Sequence, residues 1–169
     1  AKVLKEEKGS LNHPAFTEAM EDVKQHLDQL INVNGNKTVD HFHRELGAIM
    51  WQECAMSRYK TGLEKAIEKL KQLKDEFWKQ VCVTGSADEL NTELEKAYRL
   101  ADFLELGVLM CKDALDREES CGAHFREEYQ TSEGEAKRCD TDFTHVSAYA
   151  YDEGNFTLYK EPIEFEFVQ

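Results

Sequence analysis

From Leu90 to Leu115 the apolar side chains recur without a break. Leu90, Leu94, Ala97, Ala101, Leu104, Val108, Cys111 and Leu115 alternate at spacings of four and three, the period of one helical face. A helix here, opened by a capping box at Ser86 and Glu89, would be roughly 45 Å long at 1.5 Å per residue. So long a stripe demands burial against other helices. Helices of this kind joined by short loops pack as an antiparallel bundle. The expected fold is therefore mainly α: an antiparallel bundle of three to four helices, followed by an irregular, partly β C-terminal extension.

The preceding segments supply the partners. A helix is expected from about Pro14 to Ile31, with Phe16, Met20, Val23, Leu27 and Leu30 on one stripe and Pro14 in its first turn. NVNGNK, residues 32–37, is a turn cluster. The next helix is expected from about Val39 to Arg58. Its face carries Val39, Phe42, Leu46, Ile49 and Glu53, with Met50, Trp51 and Cys54 beside it. A third is expected to begin at a capping box of Thr61 and Glu64. It buries Leu63, Ile67, Leu70, Phe77 and Val81 and ends at Gly85. Its outer face of alternating Lys and Glu reads as solvated surface.

Beyond Gly122 the character changes. Residues 123–144 are polar and irregular. THVSAYAY (144–151) alternates like a strand, DEGN (152–155) is a turn, and Phe156–Tyr159 reads as the returning strand. PIEFEFV (162–168) alternates again, with Ile163, Phe165 and Phe167 on one face. A lone hairpin is marginal in water, so this tail needs a surface to lie on. The expected division is a linker over 1–12, a helical bundle over 13–122, and a loop with a short hairpin and tail over 123–169. The linker reading rests on Ala1–Ser10, which has no capping logic and looks cut from something longer.

Charge excludes whole classes of partner. The net charge of −13 repels nucleic-acid backbones and anionic membrane surfaces. No run approaches the ~18 apolar residues of a membrane-spanning helix, and the start AKVLKEEKGS is too charged for a signal peptide. Five unevenly spaced cysteines read as reduced thiols of a cytosolic compartment.

Catalytic chemistry is hard to build from these residues alone. Cys121, His124, Cys139 and His145 could be drawn as a zinc site, but their spacing is irregular and no CxxC pair occurs. His41 and His43 point in different directions on a helix. Cys121 follows a helix C-terminus, where the dipole disfavours a thiolate. The 34 acidic residues include no pair in an apolar setting that would split two pKa values, and no Gly-rich phosphate loop occurs. The expectation is no catalytic, cofactor-binding or metal residue in this chain. What stands out is the loop after the long helix, with His124, Arg126, Glu127 and Glu128. It reads either as a loop that satisfies its own charges or as a docking edge whose Arg grips a neighbouring domain.

That loop carries a resemblance. Ser120, Gly122, Ala123, His124, Arg126 and Glu128 resemble the Ser-Arg-Gly-Ala-His-x-Arg-x-Asp string that ends a long helix in the flavoprotein subunit of succinate dehydrogenase and fumarate reductase. L-aspartate oxidase carries a related version. NTELEKAYRLADFLELGVLMCKDAL (91–115) and GLEKAIEKLKQL (62–73) look like the family's two preceding helices. Arg138, Asp140 and Phe143 echo its Arg-Asp-Asp-x-x-Trp segment, and KEPIEFEFV (160–168) is similar to the C-terminus of the Bacteroides-type branch. Cys121 stands where the family usually has Arg, and Cys139 where it has Asp.

The resemblance implies a C-terminal structural or docking domain, inert alone. Its docking candidates are His124, Phe125, Arg126, Glu128, Arg138 and Asp140. It implies a parent subunit that interconverts succinate and fumarate through FAD bound covalently on another domain. Electrons would pass through iron–sulfur clusters to quinone. The implied partners are the flavin-binding domain and the iron–sulfur subunit, with the membrane reached only through the complex, peripheral on the inner face of the cytoplasmic membrane. The other readings are an independent acidic interaction module and the C-terminal domain of L-aspartate oxidase.

Overall fold

The computed structural model describes residue 10 and residues 12–152 and 155–164. Four helices dominate: α1 (Pro14–Val33), α2 (Val39–Glu53), α3 (Lys60–Gln80) and α4 (Thr92–Asp116). Short strands link their ends: β1 (Lys37–Thr38), β2 (Ser57–Arg58), β3 (Val81–Cys82) and β4 (Phe125–Arg126). One helical turn, α5 (Asp140–Phe143), precedes a hairpin of β5 (His145–Asp152) and β6 (Asn155–Pro162). Most of the linker expected over 1–12 lies outside the described residues, as do Phe165 and Phe167 of the tail.

The short strands give the bundle its directions. β1, which leads into α2, pairs with β3, which leaves α3. β2, which joins α2 to α3, pairs with β4, which follows α4. Hence α3 runs antiparallel to both α2 and α4. At β1 the chain passes so close that a Cβ on Gly35 would sit 2.1 Å from the Gln80 carbonyl carbon, and Gly35 N–H donates to Val81 O at 3.0 Å.

The core is one cluster. α2 contributes Val39, Phe42 and Leu46. α3 contributes Leu63, Leu70, Leu73 and Phe77. α4 contributes Leu94, Ala97, Leu100, Leu104, Val108 and Cys111. At roughly 25 cal/mol per Å² of apolar area, each fully buried Leu or Phe contributes about 1.5–3 kcal/mol.

Several element ends differ from the sequence expectation, each for a tertiary reason. The helix expected to reach Arg58 stops at Glu53, because Ser57 and Arg58 are drawn into the ladder with Phe125 and Arg126. The capping box at Thr61 and Glu64 does not form. α3 begins at Lys60 behind Tyr59, which offers no side-chain cap, and Lys60 N–H donates instead to the Glu128 carboxylate from across the bundle. α3 ends at Gln80 rather than near Gly85, because Val81 and Cys82 pair with β1. The Ser86–Glu89 box is bypassed too. Asn91 caps α4, accepting from Glu93 N–H at 3.1 Å and Leu94 N–H at 3.0 Å. α4 therefore has 25 residues, roughly 37 Å at 1.5 Å each, and Leu90 is left 97% exposed outside it.

α1 departs furthest. It runs two residues past Ile31, but of its stripe only Leu30 is buried. Phe16, Met20 and Val23 face solvent at 52%, 73% and 45% exposure. The returning strand β6 is longer than expected and takes in Pro162, opposite His145.

Candidate functional site

The loop that carries the sequence motif closes one end of the bundle, where α4 finishes, α2 finishes and α3 begins. A helix C-terminus leaves four carbonyls unpaired and carries partial negative charge. Arg126 answers both needs. Its side chain is buried, and its Nη1 donates to the carbonyls of Ala114 at 2.8 Å and Leu115 at 3.1 Å. Nε donates to Glu128 at 3.1 Å, and the guanidinium lies 5.4 Å from the Tyr129 ring centre. A cation is taken out of water only when its donors are met. Arg126 meets that condition from three directions.

Ser120 fixes the loop's path. It is fully buried, and its Oγ accepts from Arg126 N–H at 2.8 Å while donating to Arg126 O at 3.1 Å. Between them Cys121 and His124 exchange backbone bonds of 2.8 and 3.0 Å. The turn so closed needs Gly122 at φ 58°, a left-handed conformation in which a side chain is strained.

His124 is held at both nitrogens. Nδ1 accepts from Arg58 at 2.9 Å, and Nε2–H donates to Arg117 O at 2.9 Å. The pair of partners selects the neutral tautomer with the proton on Nε2. Burial holds this imidazole below its usual range, and the charges of Arg58, Arg126 and Arg117 add to that. Neither nitrogen is left for a metal or for proton transfer. Glu128 is pulled below the ordinary carboxylate range against the opposing effect of burial, because Lys60 N–H and Arg126 both bond to it.

Beyond this knot, buried Glu119 accepts from Arg117 at 2.6 Å and from Cys139 N–H at 2.8 Å. Arg117 also donates to His145 O at 3.1 Å, tying the loop to the hairpin. The hairpin is tied to α4 by Tyr149, whose hydroxyl donates to Asp113 at 3.1 Å, and by Lys112 over the Phe156 ring at 5.1 Å.

The expected docking residues thus divide. His124 and Arg126 turn inward, and Glu128 meets Arg126 from the exposed side. Phe125 is half-buried in β4. Arg138 and Asp140 face solvent and pair with each other at 2.7 Å. Sequence reading missed Arg58, Arg117 and Glu119. Arg58 lies 66 residues from the histidine it grips, so no local pattern announces it.

A groove of about 600 Å³ runs along α1 between Phe16, Met20, Val23 and Leu27. Its charged walls are Lys24, Asp28 and Asp88. No helix among the described residues is long and apolar enough to cross a membrane.

Comparison with known proteins supplies the identity. Residues 43–169 match the family described as "Fumarate reductase flavoprotein C-term". The chain is 30% identical over 151 residues to the fumarate reductase flavoprotein subunit of Escherichia coli K12, covering 89% of this chain and 24% of that protein. It is 31% identical over 149 residues to the Serratia subunit of the same name, covering 88% and 24%. It superposes on the solved FrdA chain of E. coli quinol fumarate reductase with a TM-score of 0.81 at 27% identity, covering 95% of this chain and 27% of that one. Sdh1 of Mycobacterium smegmatis shares the fold, with a TM-score of 0.75 at 19% identity. The chain spans about a quarter of the length of these relatives. With a bundle end closed by the Ser120–Glu128 knot and a family match over three quarters of its length, this chain belongs to the fumarate reductase and succinate dehydrogenase flavoprotein family, in its C-terminal helical domain.

Proposed function

We propose that the chain is the scaffold of a flavoprotein subunit that interconverts succinate and fumarate. FAD and the dicarboxylate are held by parts of the subunit outside this sequence. Electrons leave through an iron–sulfur subunit to quinone, and the complex is peripheral on the inner face of the cytoplasmic membrane. The observation that carries this reading is buried Arg126, whose Nη1 bonds α4 carbonyls and whose Nε bonds Glu128. An arginine so occupied handles no substrate. It makes a rigid base from which a loop and hairpin are offered to the neighbouring domain. In that edge His124 and Arg126 act from behind, Phe125 is half-buried, and Glu128, Arg138 and Asp140 lie at the surface.

The test is Arg126→Ala in the full-length subunit. Assembly with the iron–sulfur subunit and flavin retention fall, while the KM for succinate in the fraction that assembles stays the same. A large rise in KM with normal assembly would assign Arg126 to substrate instead. The 169-residue chain alone shows no flavin absorbance and no succinate–dye activity. Yellow purified protein would overturn that.

A further inference from the structure

The sulfurs of Met50, Cys54 and Cys111 converge between α2 and α4. Met50 and Cys54 stand one helical turn apart, and Cys54 N–H donates to Met50 O at 3.0 Å where α2 closes. Side chains at that spacing share a face. α4 answers with Gly107 and Cys111, again one turn apart. Gly107 leaves room for the thioether, since a Cβ there would lie 3.5 Å from Met50 Sδ. Cys111 Sγ lies 3.9 Å from Met50 Sδ, and its thiol stands within side-chain hydrogen-bonding reach of the Cys54 thiol. Both thiols are buried, and Met50 is half-buried at the edge of the core. The thioether is thus the way in from solvent. Cysteine and methionine are ordinary core residues, so their burial alone says nothing. Their convergence does.

The surroundings suit a soft cation. Glu53, next in the chain to Cys54, turns away to Lys65 at 3.1 Å and to Tyr59 at 3.2 Å. Among the described residues no three His, Cys, Asp or Glu side chains are grouped to hold a metal ion, so they offer zinc no tetrahedral set. Thiolate and thioether sulfurs select copper(I). Arg58 supplies a compensating charge. Its guanidinium is anchored on Ala55 O at 2.8 Å and on His124 at 2.9 Å, and its field acts on both thiols.

We infer that Met50, Cys54 and Cys111 form a binding site for a soft monovalent cation, copper(I), between α2 and α4. Each thiol gives up its proton to solvent on binding, as coordination requires. The ion's single positive charge meets two thiolates, so the filled site carries one net negative charge. Arg58 offsets that charge, which an apolar core would otherwise resist. Copper stays in its +1 state, and no electron is exchanged. The site departs from the sequence expectation of no metal residue because Met50 and Cys111 lie 61 positions apart, and no ligand spacing announces them. It needs nothing from the flavin or from succinate.

The test is anaerobic titration of copper(I) into the full-length subunit against a chromogenic copper(I) chelator. The variants are the double change Cys54→Ser with Cys111→Ser, and Met50→Leu alone. Leucine keeps methionine's volume and apolarity without the sulfur, so Met50→Leu still decides the matter if the double variant does not fold. Circular dichroism checks both. The native subunit is expected to withhold one equivalent of copper(I) more than the double variant. Met50→Leu keeps that stoichiometry and binds about tenfold more weakly, the lower end of what a lost supporting partner costs a metal site. X-ray absorption at the copper edge shows sulfur neighbours only.

Equal retention in the native subunit and the double variant would overturn the site. So would unchanged affinity in Met50→Leu, oxygen or nitrogen neighbours at the copper edge, or a preference for zinc under the same chelation. A subunit isolated without air that already holds a Cys54–Cys111 disulfide, seen as a linked peptide, would overturn it too and assign the pair to thiol oxidation.

Discussion

α1 and α4 carry stripes of equal regularity, yet one is a core helix and the other is not. α4 buries Leu94, Ala97, Leu100, Leu104, Gly107, Val108, Cys111 and Ala114. α1 buries only Leu30. Both show the 3.6-residue period, because period reports only that one side of a helix is meant to leave water. It does not say what covers that side. α4 lies between α2 and α3 and is covered within this chain. Among the described residues, little covers the N-terminal part of α1's stripe, where Phe16, Met20 and Val23 are exposed.

The contrast can be broken by mutation. Leu104→Ala, in the fully buried stripe of α4, is expected to destabilise the chain most, by about 2–5 kcal/mol through lost transfer energy and a residual cavity. Denaturant midpoints measure this, and a loss under ~1 kcal/mol would mean the α4 stripe is not closely packed. Arg126→Ala follows, at about 3 kcal/mol, since it strands the Ala114 and Leu115 carbonyls and leaves Glu128 without its guanidinium. Arg126→Lys, a point charge without the planar fork, recovers only part. Ser120→Ala removes the clamp on Arg126's backbone and is expected to cost about 1–3 kcal/mol.

The pH response is smaller and has a definite sign. His124 titrates in the folded state below its ordinary 6.5, so the unfolded chain binds the proton more readily. Its contribution is complete above about 6.5 and is lost as the pH falls towards the lowered folded value. Glu128, also lowered, adds a second loss in the same direction below about 4.5. Stability measured from pH 7.5 to 5 should decline in the native chain, and His124→Gln should flatten that slope. A slope that is unchanged would remove His124 from the account. Smallest of all is Met20→Ser on α1, expected within about 0.5 kcal/mol while raising solubility. A loss of more than ~1.5 kcal/mol would show that α1's outer stripe is covered after all.

The bundle end teaches the complementary lesson. The segment Ser120–Glu128 was legible as special from its residue types. The partners of its side chains were not legible. Lys60 N–H finds Glu128 across 68 positions, and His124 finds Arg58 across 66. The two capping boxes were misleading for the same reason. Thr61 and Ser86 had suitable local chemistry, but an acceptor delivered by the fold displaced the first, and Asn91, able to cap and to bond the Thr84 and Ser86 carbonyls at once, displaced the second.

The amino-acid order alone determined that a bundle of amphipathic helices would form, many of the residues of α2, α3 and α4 that would leave water, and that the segment after α4 would be something other than helix. These depend on periodicity and on backbone preference, which act over a few residues. Tertiary structure alone decided where α2 and α3 end, what binds the guanidinium of Arg126, and which stripes stay bare. Those outcomes depend on groups brought together by the fold from positions up to 68 apart, and a hydrogen bond or a packed face exists only when both sides have arrived.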